Sequence, residues 1–222
     1  MVASAASGPS DAECMKVLMV AALAVLLSPA VADAAPTPLS FTTPDHRLGR
    51  SHIDPANVAR RSTTFRLNLP AKTVDGAEIR SALQYSSGVV RSRIRVANAP
   101  SSLTGFFLYA APDYASEIDI EVMNDRTGTV LFSTYAGGRQ TNTETRQLGF
   151  DPTTAAHRYE IAWGAGQVRF TVDGVTLRTW TSGAPTAPMN LYVNAWFPAW
   201  LDGLAPAGTR ATVIDRLEYR RR

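Results

Sequence analysis

The chain of 222 residues has a single cysteine, Cys14, and its sequence lacks both a long helical period of apolar residues and any internal repeat. One cysteine cannot form an internal disulfide, so the sequence excludes a small disulfide-held fold and a redox thiol pair. The protein must therefore be stabilised by its hydrophobic core. A chain of this length can bury a sizeable core within one domain.

An apolar run near the N-terminus has the composition of a secretory leader. A lysine precedes the run over 17–27, and Ala-Asp-Ala over 32–34 provides the small-x-small pattern of a cleavage site. The run is too short for a helix that crosses a bilayer. We therefore predict a signal peptide with an N-terminal extension over 1–34, a flexible lead-in over 35–50 and one domain over 51–222. The expected product is secreted and has no membrane contact after cleavage.

The net charge of the chain is positive, but the basic residues are not clustered in one part of the sequence. Removal of residues 1–34 takes away three acids and one lysine, which raises the formal net charge from +3 to +5. The basic side chains are nearly all arginine and are scattered along the sequence. Because no basic run is interleaved with aromatic residues, we expect no nucleic-acid partner.

Short alternating segments separated by turn residues dominate the rest of the chain. Most contain β-branched or aromatic residues, and Gly, Asn, Asp or Pro stands between them, which is typical of antiparallel strands. The candidate strands are TTFRLNLP, AEIRSALQY, GVVRSRIRV, TGFFLYA, SEIDIEVM, TVLFSTYA, TETRQLGF, HRYEIAWG, QVRFTVDG, VTLRTWT, MNLYVNAWF and RATVIDRLEYR. This pattern predicts an all-β fold, either a sandwich or a barrel.

Three acids alternate with apolar residues in one of these segments, EIDIE over 117–121. On a strand, Glu117, Asp119 and Glu121 project from one face. A pair of carboxylates about 5 Å apart can hydrolyse a glycoside with retention, one as nucleophile and one as acid/base. The outer glutamates are about 13 Å apart along a flat strand, but long side chains on a concave sheet can approach each other. An acidic, solvated strand face is the alternative.

The stretch SEIDIEVMND and the segments around it resemble the family 16 glycoside hydrolases, in particular the bacterial lichenases, which are β-1,3-1,4-glucanases. The similar segments keep their order along the chain between Pro55 and Tyr219, and include DGAEIRSALQYSSGVVRSRIRV, GFFLYA, LGFDPTTAAHRYEIAWGAGQVRFTVDGV and PMNLYVNAWFPAWL. The resemblance implies a concanavalin-like β-jelly-roll sandwich of two antiparallel sheets, with a concave glycan-binding cleft across one sheet.

The resemblance also implies roles for individual residues. Glu117 matches the nucleophile, Asp119 the assisting acid and Glu121 the general acid/base. The implied sugar-binding residues are Glu78, Arg80, Tyr135, Asn190, Tyr192, Trp196 and Trp200. The residues alone also allow an ion pair between Glu78 and Arg80, and packing of Trp200 beneath its loop. No cofactor is required, and Asp215 matches an acid that helps to hold a structural calcium ion in lichenases.

The sequence departs from the lichenase pattern at sugar-binding positions. Leu131 and Ser133 stand where the family has Gln and Asn, and the segment over 42–58 has no Trp or Tyr. The substrate is therefore left open between β-1,3-1,4-glucan and an acidic exopolysaccharide. We expect a monomeric, retaining endo-β-glycanase whose partner is a polysaccharide. The alternatives are a transglycosylase on the same fold and a non-catalytic carbohydrate-binding protein.

Overall fold

The computed structural model describes Thr37 and residues 39–221; the predicted leader over 1–34 lies outside them. The described residues form sixteen strands and one short 3-10 turn, Pro55–Asn57. The strands are β1 Phe41–Thr42, β2 His46–Leu48, β3 Ser51–Ile53, β4 Val58–Arg61, β5 Thr64–Leu69, β6 Ala77–Tyr85, β7 Gly88–Arg95, β8 Leu103–Ala110, β9 Ser116–Met123, β10 Thr129–Ala136, β11 Arg139–Gln147, β12 His157–Gly164, β13 Gln167–Val172, β14 Val175–Trp180, β15 Met189–Trp196 and β16 Arg210–Arg220. Across these residues, no helix has the length and apolar character needed to span a membrane.

The described strands build two large antiparallel sheets and one small hairpin. The first sheet has the order β1-β6-β15-β8-β9-β10-β11, and the second has the order β14-β13-β12-β7-β16-β5-β4. The hairpin pairs β2 with β3. In each large sheet, half of the neighbouring pairs join consecutive strands and half join strands that are distant in sequence, as in a jelly roll rather than a meander. The predicted all-β sandwich of two antiparallel sheets is confirmed.

Alternation along the strands places the core between the two sheets. In β9, Ile118 and Ile120 are fully buried, whereas the acids between them point to the opposite face. Phe132 of the first sheet stacks on Phe170 of the second, with ring centroids 4.8 Å apart. Burial of each such side chain stabilises the fold by about 1.5–3 kcal/mol, so contacts across the layers hold the sheets together.

Two short strands, β1 and β2, lie within the range 35–50 that was expected to be a flexible lead-in. Phe41 and Thr42 pair with Ser81 and Arg80 of β6, so β1 covers one edge of the first sheet. Strand β2 also lies within this range and pairs with β3. These strands are short and mostly exposed, and they therefore lack the apolar alternation that makes a strand visible in sequence.

Candidate active site

The three acids of β9 open into one cavity on the outer face of the first sheet. Glu117, Asp119 and Glu121 all line this cavity, whose volume is about 600 Å³. The apolar residues between them anchor β9 in the core, so the strand cannot slip by one residue without burying all three carboxyl groups. Local alternation and core packing together therefore determine where the acids point.

Burial and mutual repulsion control the ionisation of the first two acids. Burial raises the pKa of Glu117 to about 7, and the charge of Glu121 acts in the same direction. A hydrogen bond with Asp119 opposes this rise in the pKa of Glu117. Burial and the two neighbouring glutamates hold the pKa of Asp119 well above its ordinary value. Asp119 therefore keeps a proton that it can donate to Glu117, and this hydrogen bond favours the ionised form of Glu117.

Glu121 differs from Glu117 because burial alone raises its pKa to about 7. The residue opposite it on β8 is Gly105. A Cβ atom on Gly105 would lie 2.6 Å from Oδ1 of Asn194, so the glycine leaves room for that amide beside the acid. A carboxyl group with a pKa near neutrality can donate a proton and take it back within one reaction cycle.

A second buried carboxylate, Glu78, lies in the same cavity on β6. Its Oε1 lies 3.2 Å from Nε2 of His46, and its Oε2 accepts a hydrogen bond of 3.1 Å from Nδ2 of Asn194. Oδ1 of Asn194 in turn accepts from the backbone N–H of Gly105. The hydrogen bond to Glu78 raises the pKa of His46. Glu78 is only 3% exposed, and both of its oxygens have partners, so its orientation in the cavity is restrained.

Aromatic rings form the wall of the cavity between Glu78 and the acids of β9. Tyr192 stacks on Phe107 with ring centroids 5.0 Å apart and meets Tyr109 edge to face at 5.8 Å. Arg80 hydrogen-bonds to Tyr192, an interaction that lowers the pKa of that tyrosine against a larger rise caused by burial. An aromatic wall beside convergent polar groups is typical of a site for a small or chain-like ligand, including a sugar.

The structure separates the sugar-binding residues expected from the sequence into three groups: those in the cavity, one in an adjoining pocket, and two in neither. Glu78, Arg80, Tyr192 and Trp196 line the cavity with the acids. Tyr135 is the partner of Glu117 on β10 and lines a smaller, adjoining pocket.

Asn190 and Trp200 do not line the cavity. Nδ2 of Asn190 donates to the carbonyl oxygens of Ser81 and Leu83, so its amide group ties β15 to β6. Trp200 lies in the segment after β15 and is 55% exposed, which excludes the alternative that it packs beneath its loop. The alternative interpretation, an ion pair between Glu78 and Arg80, does not describe these contacts: Glu78 contacts His46 and Asn194, and Arg80 bonds to Tyr192.

Sequence reasoning missed several cavity residues. His46 lies in the segment interpreted as loose, and Asn194 has no motif of its own. Phe107 and Tyr109 could have been found from register, since they alternate with core residues on the strand beside β9 and stand opposite Asp119 and Glu117. To recognise these two residues from sequence, one must know that β8 pairs with β9, and the alternation within a single segment does not reveal which strands pair.

Asp215, the expected calcium ligand, lies on β16 in the second sheet, away from the cavity. The pairing of β16 with β7 shifts between Ile214 and Arg216, so Asp215 stands at a bulge. Within the described part of the chain, no group of three or more His, Cys, Asp or Glu side chains could hold a metal ion. A calcium ion at Asp215 would therefore depend on backbone oxygens.

Comparison of the chain with models of protein families identifies its family. Residues 49–211 match the model of glycosyl hydrolases family 16. The chain belongs to this family. The resemblance inferred from the sequence is thereby confirmed, and the acids of β9 lie within the matched range.

Individual family 16 proteins resemble the chain in sequence and in structure. A beta-glucanase from Paenibacillus polymyxa is 30% identical over 152 residues, which cover 65% of this chain and 64% of that protein. The chain thus spans just under two thirds of the length of this relative. The structure of the Bacillus licheniformis beta-glucanase matches with a TM-score of 0.74 and 25% identity, covering 83% of this chain and 92% of that one.

A more distant structural match shows the fold alone. The kappa-carrageenase from Pseudoalteromonas carrageenovora, solved with an oligotetrasaccharide, has a TM-score of 0.70 at 14% identity. It covers 87% of this chain and 98% of that one. Proteins with different named activities therefore share the architecture of this chain, and the substrate must be argued from the cavity.

Proposed function

We propose that this family 16 protein is a secreted endo-β-glycanase that cleaves a polysaccharide with retention of configuration. The observation that supports this most directly is the row of three acids, Glu117, Asp119 and Glu121, on the floor of one aromatic-walled cavity. Double displacement needs two carboxyl groups that flank the glycosidic bond. One must be ionised to act as the nucleophile, and the other must be protonated to act as the acid. The hydrogen bond from Asp119 to Glu117 and the buried environment of Glu121 favour this division of roles.

In the first step, Glu121 gives its proton to the glycosidic oxygen while a carboxylate oxygen of Glu117 attacks the anomeric carbon. The bond to the leaving sugar breaks, and a glycosyl ester with Glu117 forms. Asp119 restrains the second oxygen of Glu117 through their hydrogen bond, so the attacking oxygen faces the substrate.

In the second step, the ionised Glu121 takes a proton from water, and the water oxygen attacks the anomeric carbon. The ester bond to Glu117 breaks, and the sugar leaves with the β configuration it had in the polymer. Glu121 is again protonated at the end of the cycle. The protein's own carboxyl groups carry out both steps, and no cofactor enters them.

The substrate that the relatives favour is a β-glucan, since the curated matches include beta-glucanases from Paenibacillus and Bacillus species. An acidic exopolysaccharide is the alternative, because Arg47 and Arg80 line the cavity beside Glu78. Arginine can pair with carboxylate substituents on a sugar chain in a way that a neutral glucan does not require. Mixed-linkage β-glucan is the substrate we propose first.

Two further expectations remain proposals. Export through the predicted leader would place the enzyme outside the cell, where polysaccharides occur.

A calcium ion at Asp215 would be structural, since this residue lies in the second sheet and the acids lie in the first. Asp215 stands at the bulge of β16, outside the regular ladder with β7. Chelation of calcium should then lower the melting temperature of the protein without changing its substrate.

The decisive experiment is the release of reducing ends from a panel of polysaccharides by the purified protein. The panel contains mixed-linkage β-glucan, laminarin, xyloglucan, agarose, carrageenan and an acidic succinoglycan-type polymer, and Glu117→Gln is the control. NMR of the first product anomer tests retention. Cleavage that Glu117→Gln retains in full would refute the assignment. Binding to the panel without cleavage would favour the carbohydrate-binding alternative.

A further inference from the structure

The outer face of the second sheet carries a concentration of arginine side chains. Along β7, Val90 and Ile94 are buried in the core, so the arginines that alternate with them point away from the core. The same alternation turns arginines outward on the neighbouring strands β5, β12 and β16. The outward-facing arginines include Arg66, Arg91, Arg93, Arg95, Arg158 and Arg216.

One row across three of these strands places arginine directly opposite arginine. Arg93 on β7 is the pairing partner of Arg158 on β12 and of Arg216 on β16. We call these three residues the arginine row. All three are exposed, and the side chain of Arg216 is 71% exposed. Adjacent strands lie about 4.8 Å apart, so the row spans only about 10 Å of the sheet. Like charges directly opposite each other destabilise a sheet, so the row has a cost for the fold.

The next row on the same face shows how the fold neutralises an arginine. Arg91 on β7 stands between Glu160 on β12 and Glu218 on β16. Nε of Arg91 donates to Oε2 of Glu160, whose Oε1 lies 3.8 Å from Arg169. Glu218 forms an ion pair with Arg216 at the end of the arginine row. Each of the two glutamates is therefore shared between arginines, and together they cannot balance the whole face.

The nearest aspartates do not balance the arginine row either. Asp173, in the turn between β13 and β14, accepts a hydrogen bond from the backbone N–H of Arg158 and lies 2.6 Å from Nδ1 of His157. Asp215 stands at the bulge of β16. In the part of the chain that the structure describes, no carboxylate forms an ion pair with Arg93. The centre of the row therefore presents positive charge to the surroundings of the protein.

We propose that the outer face of the second sheet binds an anionic polysaccharide through the arginine row, apart from the catalytic cavity on the first sheet. Arginine presents a planar fork of donors that matches the carboxylate groups of such a polymer. A carboxylate bound between two arginines of the row also offsets the repulsion between them. The inference does not rest on the proposed glycanase function, because this binding needs no turnover.

Two other polyanions fit this face less well. Single-stranded nucleic acid binds where its bases stack on exposed aromatic rings, and a membrane-surface site inserts apolar side chains among the lipids. Among the described residues, only one large exposed apolar side chain belongs to the second sheet, that of Val175. The face thus supplies charge without stacking or insertion, which suits a hydrated, acidic sugar chain.

The test measures binding of the whole protein to polygalacturonate by isothermal titration calorimetry, with dextran as the neutral polymer. Polygalacturonate carries carboxylates and has α-linkages, which the proposed mechanism for β-glycosides does not cleave. The wild type should bind polygalacturonate but not dextran, and more weakly as sodium chloride rises from about 0.02 to 0.3 M. Arg93→Gln combined with Arg158→Gln should weaken binding about tenfold, since each exposed charge pair adds a small increment. The melting temperature should not fall, because the change removes like charges from one row.

The matched control combines Arg126→Gln with Arg146→Gln, which removes the same net charge from exposed positions outside the second sheet. This control should stay within about twofold of the wild-type affinity, and Arg93→Lys should bind more tightly than Arg93→Gln because it keeps the charge.

Three results would overturn the inference. The first is an equal loss of affinity in the control and in the arginine-row variant. The second is loss of binding in Arg80→Gln but not in the arginine-row variant, which would place the polymer in the cavity. The third is tighter binding of the wild type to single-stranded DNA or to phosphatidylglycerol vesicles than to polygalacturonate.

Discussion

Glu78 and Asn194 stand opposite each other on β6 and β15 and are joined by a hydrogen bond of 3.1 Å. The same row continues to Gly105 on β8 and Glu121 on β9. One line of paired residues across four strands therefore connects the restrained carboxylate of Glu78 to the proposed acid/base. A change in the middle of this line should affect both ends.

The first prediction concerns the two glutamates of the mechanism. Glu117→Gln and Glu121→Gln should each lower kcat on the polysaccharide at least about 100-fold, because removal of a positioned acid/base alone costs on the order of 10²–10⁴. Both variants should keep the wild-type fold, since glutamine has nearly the same shape. Circular dichroism and thermal melting check the fold. A variant that melts normally and turns over at the wild-type rate would remove that residue from the mechanism.

The second prediction concerns stability against pH. Burial raises the pKa of Glu121 from 4.5 to about 7, so the folded state holds this proton more tightly than the unfolded chain. This contribution to stability is fully present below about pH 4.5 and is lost as the pH rises through about 7. The loss attributable to Glu121 has an upper bound of about 3 kcal/mol.

Urea unfolding at pH 5 and pH 8 measures this effect. The wild type should lose stability between the two values, and Glu121→Gln should lose less, because the amide does not titrate. The raised pKa values of Glu117 and Asp119 act in the same direction in both proteins. The lowered pKa of Asp173 acts in the opposite direction in both. The difference between the two proteins therefore measures Glu121 together with the effect of its charge on the pKa values of Glu117 and Asp119, and identical pH dependence would contradict the prediction.

The third prediction concerns the line across the sheet. Gly105→Ala introduces a Cβ 2.6 Å from Oδ1 of Asn194, so the amide must move. Such overpacking should destabilise the protein by about 1–3 kcal/mol and lower activity through both Glu78 and Glu121. Gly208→Ala is the matched control, because its Cβ would make only an ordinary contact with Arg210. Urea midpoints and kcat/KM of the two variants should differ clearly; similar values would show that the line tolerates the methyl group.

The fourth prediction concerns His46, which lies 3.2 Å from the buried Glu78. His46→Ala leaves one carboxylate oxygen of Glu78 without this partner and should raise KM about tenfold with a smaller effect on kcat. His46→Gln can still donate a hydrogen bond and should restore most of the affinity. Michaelis constants on the preferred polysaccharide at pH 6 provide the measurement. If glutamine is as harmful as alanine, the hydrogen bond is not what matters.

Sequence reasoning was most effective where one strand carries its own pattern. The alternation in β9 is enough by itself to place Glu117, Asp119 and Glu121 on one face, and core residues such as Ile120 fix that face toward the cavity. The sandwich follows in the same way from repeated short alternating segments. Both depend on neighbours in sequence, which a single chain displays directly.

The remaining cavity residues depend on neighbours in space. Asn194 and Glu78 meet only because β15 lies between β6 and β8, an order that no local pattern reveals. His46 reaches the cavity from a strand of three exposed or half-exposed residues. Trp200 matched a cleft position by resemblance, yet the loop after β15 directs it elsewhere. Loop paths and sheet order arise from long-range packing, and these were the parts that escaped prediction.

The short strand β1 has a practical meaning for anyone who shortens this protein. Trimming the chain to the matched range 49–211 would remove β1 and expose the hydrogen-bonding edge of β6, a surface to which another chain can add a strand. It would also remove His46 from the cavity and cut β16 from between β7 and β5 in the second sheet. The part that makes the family recognisable is thus smaller than the part that folds. A shortened protein would be expected to self-associate before its catalysis could be measured.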